Sequence, residues 1–432
     1  MNRGDMGLTR HKLTALVAVA VLLFAGCGLF GSGTVISPEL EATAPQQVGV
    51  NSTPVSPVIP DGAPLPDNAI LIGALMATRG FLSTYDEPAL VAAQNRVDAL
   101  NTDGGLLGRP LVLRHIESHT ELSVMKNGAE QLLLDGIDLL LVTCDAVYAQ
   151  PALEELQDSG TLVISPCGTD DAWTTGELGE RVFSLGTPVS TEASMLADLM
   201  IERGLDTSVV VIDQTSTEAM AVCEAFQQSF DKQGGRVLSL FRYQPTDPGL
   251  IAPILAGLAL ANPEAIVFCG TRLVAPEVLA PIRQAGHDQP IFANSSMDGD
   301  YWLGRVPQIG DFTMLSYGSV YADSADPNPQ VRQVLDSYFA TTGHRANDGR
   351  LITGHDAIEA YVRAVTRAGT TNPAAVAAEL RQFHKEGFAA GSVSFGLGRH
   401  APVDRPMRVI VVEEPFARFD RIISLNDVEG RQ

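Results

Sequence analysis

From Asp67 onward the chain alternates between short, almost wholly apolar runs and longer stretches whose apolar positions recur every three or four residues. The short runs are AILIGAL, LVLRHIE, IDLLLVTC, TLVISPC, SVVVID, RVLSLFRY, AIVFCG, PIFAN and RVIVVE. Continuous apolar runs of this length fit strands covered on both faces. The stretches between them predict helices over 89–100, 123–134, 191–203 and 218–233. A late helix is announced by Asn372 as N-cap and Pro373 in the first turn. Strand–helix alternation implies an α/β fold, with parallel-rich sheets carrying helices on both sides. In such sheets ligands bind beyond the carboxyl ends of the strands.

The amino end follows another pattern. Arg3, Arg10, His11 and Lys12 precede an apolar run over 13–24, and Ala25 and Gly26 lead into Cys27. A positive region, a short apolar region and small residues read as a secretory signal peptide over 1–27. The run is too short for a membrane-spanning helix, which takes about 20 residues. Residues 24–27 resemble the lipobox of bacterial lipoproteins, in which the cysteine is acylated and becomes the new amino terminus. Phe24 stands where leucine is usual, with Leu23 one step back. The other reading is a plain signal peptide with an incidental cysteine. Residues 28–66 hold Gly, Ser, Thr, Pro and Val with little charge and no steady period, which predicts a flexible linker.

Composition narrows the function classes. The chain beyond the linker is too long for one typical domain and suits two. A hydrophobic content of 45% supports real cores. The formal charge of −22 argues against nucleic acid and against docking on anionic lipid, because no basic stripe is available. No second long apolar run predicts another membrane contact, so the membrane is reached through the lipid anchor alone. GxSxG, HExxH and P-loop motifs are missing and the eight His are scattered, so no enzyme and no cofactor are expected. No cysteine or histidine spacing suggests zinc.

One stretch makes the reading specific. NRVDALNTDGGLLGRPLVL, residues 95–113, resembles the first helix-to-strand turn of the type I periplasmic binding proteins, the branched-chain amino-acid (Leu/Ile/Val) group above all. Gly104 and Gly105 would end the helix with a cap that needs positive φ. SGTLVISPCGT, GHDAIEAYVRAV and GSVSFGLGRHAPVDRPMRVIVV follow in the family's order, as a cleft strand, a late helix of lobe one and a closing hinge-and-strand segment. The resemblance spans roughly residues 68–425. It implies two Rossmann-like lobes joined by three crossovers, closing on a ligand by hinge motion. Lobe one would be 67–187 plus 319–388, and lobe two 188–318 plus 389–426. The implied role is capture of a small molecule, an amino acid or a related amide or amine, for an ABC importer. The protein would act as a monomer, outside the cytoplasm and lipid-anchored near its permease. The alternative is a ligand sensor that signals to a partner protein.

The resemblance also assigns candidate contacts. Tyr85 falls where the family often places an aromatic wall; it is otherwise an ordinary half-buried loop tyrosine. Asp145 and Ala146 start a helix after a strand, where the family holds the ligand carboxylate on backbone N–H groups. An acid there repels a carboxylate, so Asp145 is either a ligand contact or the helix N-cap. Gly168 and Thr169 match a second anion-gripping segment, with Asp170 or Asp171 capping the next turn. In lobe two, Ser216 and Thr217 lie in a loop that often carries a Tyr in the family. Arg272 is either a cleft guanidinium for a planar acceptor or a solvated loop Arg. The loop SSMDGD offers Asp298 as partner for a ligand ammonium, with Ser296 and Asp300 as competitors and a plain Asp298-Gly299 turn as the other reading. Finally, Cys144 and Cys167 end two consecutive strand candidates. Neighbouring strands lie about 4.8 Å apart, so the pair forms either a disulfide or two buried thiols.

Overall fold

The structure, a computed structural model, describes residues 66, 68–321, 326–413 and 416–425. The expected signal peptide, Cys27 and the linker up to residue 65 lie outside the described residues.

The first sheet is built from β1 (Ile70–Met76), followed by α1 (Ser83–Thr102), β2 (Leu111–Glu117), α2 (Leu122–Leu134), β3 (Leu139–Val142), α3 (Ala146–Leu156), β4 (Leu162–Ser165), the short α4 (Ala172–Thr175) and β5 (Val182–Ser184). Its five strands are all parallel, in the order β2-β1-β3-β4-β5. Alternation along β1 sorts the core. Ile70, Ile72, Ala74 and Met76 join one apolar cluster, and Leu71 and Leu75 join the cluster on the other face. Gly73 stays small because a Cβ there would meet Leu132 at 3.0 Å.

The chain then crosses to a second sheet. It runs through α5 (Val189–Glu202), β6 (Thr207–Asp213), α6 (Thr217–Lys232), β7 (Arg236–Tyr243), α7 (Ile251–Ala261), β8 (Ala265–Cys269), α8 (Ala275–Gln284), β9 (Ile291–Ala293) and β10 (Phe312–Ser316). It crosses back for α9 (Pro329–Thr342), α10 (Leu351–Ala368), α11 (Pro373–Leu380) and the ribbon β11 (Glu386–Phe388) with β12 (Gly391–Val393). A third crossing leads to β13 (Met407–Glu413) and β14 (Phe416–Ile423). The second sheet has the order β14-β13-β10-β9-β8-β6-β7, parallel except for β13, which runs antiparallel to both its neighbours, β10 and β14. This is the two-lobed, three-crossover α/β architecture expected from the sequence.

Helix α10 ties the lobes together. Leu351 and Ile352 pack in the core beside β6, whereas Ala357 to Val365 pack beneath β1. Gly354 lets α10 lie directly on α1, since a Cβ there would meet the Ala89 carbonyl oxygen at 2.0 Å.

Two departures have clear physical causes. Helix α1 begins at Ser83 rather than at 89, and carries Pro88 inside it. A proline in a helix gives no N–H to the carbonyl four residues back, here Thr84. That carbonyl instead accepts from Arg272 Nη2 at 2.7 Å. Strands β5, β10, β11, β12 and β14 were not expected. The first is three residues long, and β14 is an edge strand whose Arg418, Asp420 and Arg421 mask its pattern.

Candidate functional site

Residues just after β1, β3 and β4 of one sheet, and just after β6 and β8 of the other, line a single cavity of about 480 Å³. Its size falls within the range for small-molecule sites, about 300–1,000 Å³. Two helices start at its wall. At α3, Asp145 keeps an extended backbone and its Oδ1 accepts the Tyr148 N–H at 3.1 Å. At α6, Ser216 Oγ accepts the Ala219 N–H at 3.2 Å. Both helix starts are thus capped by their own side chains. Asp145 is the N-cap, and it lines the cavity as well.

Tyr85 forms the floor. Its ring is buried between two guanidinium groups, Arg272 at 4.6 Å and Arg350 at 4.8 Å from the ring centre. Its hydroxyl has no hydrogen-bond partner. Burial pushes the phenol up to about 12, against the pull of the two arginines. Arg350, buried at the head of α10, donates to Glu218 at 2.7 Å and to Ser295 Oγ at 3.0 Å. Glu218 lies in the first turn of α6, where the helix dipole favours an acid. Asp213 ends β6 and accepts from Thr215 N–H at 2.9 Å and its hydroxyl at 2.6 Å. Asp170 caps the following turn through Ala172 N–H at 2.8 Å. Apolar walls come from Phe81, Leu82, Tyr148, Leu273 and Val274.

The structure gathers Tyr85, Asp145, Ala146, Thr169, Ser216 and Thr217 around the cavity. Three other expected residues stand behind the wall. Gly168 packs under Trp173, whose ring a Cβ would strike at 2.6 Å. Arg272 is neither in the cavity nor solvated: it is buried, ion-paired with Asp348 and bonded to the Asp298 carbonyl at 3.0 Å. Asp298 is also out of reach of a ligand. Its carboxylate accepts from Ser316 Oγ at 2.6 Å, Gly349 N–H at 2.8 Å and Tyr321 OH at 2.5 Å. Ser296 is likewise spent, donating to the Gly270 carbonyl at 2.8 Å. Burial, and then the charge of Asp348, push the Asp298 carboxyl up to about 6.

Sequence reasoning missed Glu218, Asp213 and Arg350. The signal for Glu218 was present, an acid in the first turn after a strand-end Ser cap. Its partner Arg350 lies 132 residues away, beyond any local pattern. Reasoning also missed a second disulfide. The structure joins Cys144 to Cys167, Cα atoms 4.8 Å apart, and joins Cys223 on α6 to Cys269 at the end of β8, 6.0 Å apart. Among the described residues no cluster of three His, Cys, Asp or Glu could hold a metal ion.

A cavity with apolar walls and polar strand ends, shared between two α/β lobes, defines a two-lobed ligand-binding protein. A family model described as periplasmic binding protein matches residues 69–416, and the chain belongs to that family, in its type I form. Among curated proteins it is similar to Leu/Ile/Val-binding protein homolog 3 of Brucella melitensis, 22% identical over 313 residues, covering 72% of this chain and 82% of the relative. Among solved structures it is similar to the branched-chain amino acid transporter substrate binding protein LivJ of Streptococcus pneumoniae in complex with isoleucine, at TM-score 0.70 and 18% identity, covering 82% of this chain and 99% of that one. It is also similar to an ABC-transporter solute binding protein of R. palustris in complex with benzoate, at TM-score 0.68 and 16% identity, covering 83% and 95%. Members of the family are extracytoplasmic binding proteins. Among the described residues no helix is long and apolar enough to cross a membrane.

Proposed function

We propose that this chain is a lipid-anchored substrate-binding protein that captures a small molecule, an amino acid or a related amide or amine, and delivers it to an ABC importer. The observation that carries the reading is the cavity of about 480 Å³ set between two capped helix starts, one from each lobe. Tyr85, Asp145, Ala146, Thr169, Ser216 and Thr217 are the proposed contacts. The ligand is bound and released unchanged. Lobe one takes 67–187 and 319–388, lobe two 188–318 and 389–426, and closure between them traps the ligand. Cys27 carries the lipid, and the linker over 28–66 lets the monomer reach its permease.

Two measurements test this. Small-angle scattering with and without a saturating ligand should show compaction; identical curves would count against capture by closure. Fatty-acid labelling should mark the wild type and spare Cys27→Ser; equal labelling would remove the anchor.

A further inference from the structure

An α-amino acid needs a cation or free N–H groups for its carboxylate, and this cavity sets carboxylates beside both of its helix starts. The start of α3, where such a carboxylate would sit, is occupied by the Asp145 carboxylate. At the start of α6, Ser216 Oγ takes the Ala219 N–H, and Asp213 and Glu218 stand on either side of it in the chain. Four carboxylates line the cavity, those of Asp145, Asp170, Asp213 and Glu218. The one arginine or lysine in its lining, Arg350, spends Nη2 on Glu218 and Ser295 and lies over the Tyr85 ring, its Nε lacking a partner.

Acidic residues alone do not make a site, but a further feature points to a ligand. The Tyr85 hydroxyl is buried at the cavity without a partner, and can accept one N–H from a ligand. A carboxylate has about four acceptor sites, so the Asp145 and Asp213 groups can each take a further donor. We infer that the cavity takes an organic cation without a free carboxylate: an amine whose N–H groups meet Asp145, Asp213 and Glu218, on a branched or aromatic body that lies against Phe81, Tyr148 and Leu273. The inference rests on the capture role proposed above and names its ligand class. Burial, and then the charges of Glu218 and Asp170, already hold the Asp145 carboxyl above the ordinary range. A bound cation would relieve that repulsion.

The test is calorimetry on the full chain with matched probes of three charge types. One set is isoamylamine, leucine and isocaproate; the other is phenethylamine, phenylalanine and phenylpropionate. The expected result is that an amine binds at least about tenfold more tightly than its amino-acid and acid counterparts. Its affinity should fall between about 0.1 M and 1 M salt, as the Debye length shrinks from about 10 Å to 3 Å. Asp145→Asn keeps a helix cap and removes the charge. It should weaken the amine by about tenfold and strengthen the amino acid, an exchange that loss of structure would not produce. If the amino acid or the acid binds as tightly as the amine, the charge assignment is overturned and the capture role stands. Silence from all probes overturns the assignment too. Native mass spectrometry of protein from its own host then judges capture separately: a co-purifying neutral or anionic compound keeps it, and its absence from every preparation counts against both.

Discussion

Two acidic regions lie within one wall of each other and behave in opposite ways. Beneath the cavity, Asp298, Asp348 and Arg272 form a sealed cluster in which every side chain is buried. At the cavity itself, Asp145 and Glu218 are half-buried and keep spare acceptor capacity. The sealed cluster has long-range partners for each charge: Ser316, Tyr321 and Gly349 for Asp298, and the Thr84 carbonyl for Arg272. A carboxylate already accepting three donors has little left to offer a ligand. What separates a structural acid from a binding acid here is therefore the number of donors the fold has aimed at it, more than its position after a strand.

The sharpest way to break this contrast is to remove the cation of the sealed cluster. Arg272→Met leaves Asp348 buried without its ion partner and frees the Thr84 carbonyl that Pro88 had already orphaned. Breaking a buried pair in this way costs about 3–5 kcal/mol. The melting temperature should drop by several degrees or more. A loss comparable to that of an exposed substitution would show that the cluster is solvated after all.

Next in size is the disulfide at the cavity edge. Cys144 and Cys167 close a loop with a sequence separation of 23. Loops of this length are worth about 3 kcal/mol in the chain-entropy account. The paired change to Ser should lower the melting temperature, and unreduced, unfolded wild type should take up no iodoacetamide at either position. Alkylation at both would reject the bond.

How far the sequence could be read follows the same division. Strands such as IDLLLVTC and AIVFCG were legible because burial on both faces leaves an unbroken apolar run. Asp145, Ser216 and Thr217 reached the cavity through the family resemblance, and Asp145 was also legible locally, as a capping residue after a strand. Asp298 was misplaced because its partners Ser316 and Tyr321 lie 18 and 23 residues on, and nothing local marks them as donors. Arg272 was read as either a cleft or a solvated residue for a similar reason. Its pairing depends on Asp348, 76 residues away, and on a carbonyl exposed by a proline in another lobe.

A third prediction sharpens the sealed side by pH. Burial is the main cause that raises Asp86 and Asp298 to about 6 and Glu192 to about 7. Each folded value lies above the ordinary one of 3.8 or 4.5. Between those values the folded chain holds protons that the unfolded chain has lost. Their contribution is therefore fully present below about pH 4 and is lost as pH rises through 6 to 7. These three groups therefore pull heat stability down across that window. Tyr321→Phe removes a donor from Asp298 and the acceptor of the Gly299 N–H. It should cost about 1–3 kcal/mol and steepen the decline. Glu117 and Glu359, held below the ordinary range despite burial by hydrogen bonds from Thr78 and Arg363, pull the other way. The decisive measure is thus the difference from wild type: a Tyr321→Phe curve that runs parallel to wild type from pH 4 to 7 would contradict the coupling to Asp298.

The smallest effect belongs to the open side. Asp145 has two duties, a cap on α3 through Tyr148 N–H and a charge at the cavity. Asp145→Ala removes both and should destabilise by about 1 kcal/mol, the usual cost of losing a cap. Asp145→Asn keeps a capping oxygen and should leave stability within about 0.5 kcal/mol of wild type. Thermal melts of the two variants, read together, separate cap from charge. If Asn destabilises as much as Ala, the charge itself supports the helix start through its dipole. The contrast between sealed and open acids would then weaken, because Asp145 would be holding the fold as well as facing the cavity. If the Asn variant melts with wild type, the Asp145 carboxylate contributes nothing the fold requires, and its charge is free to serve the cavity.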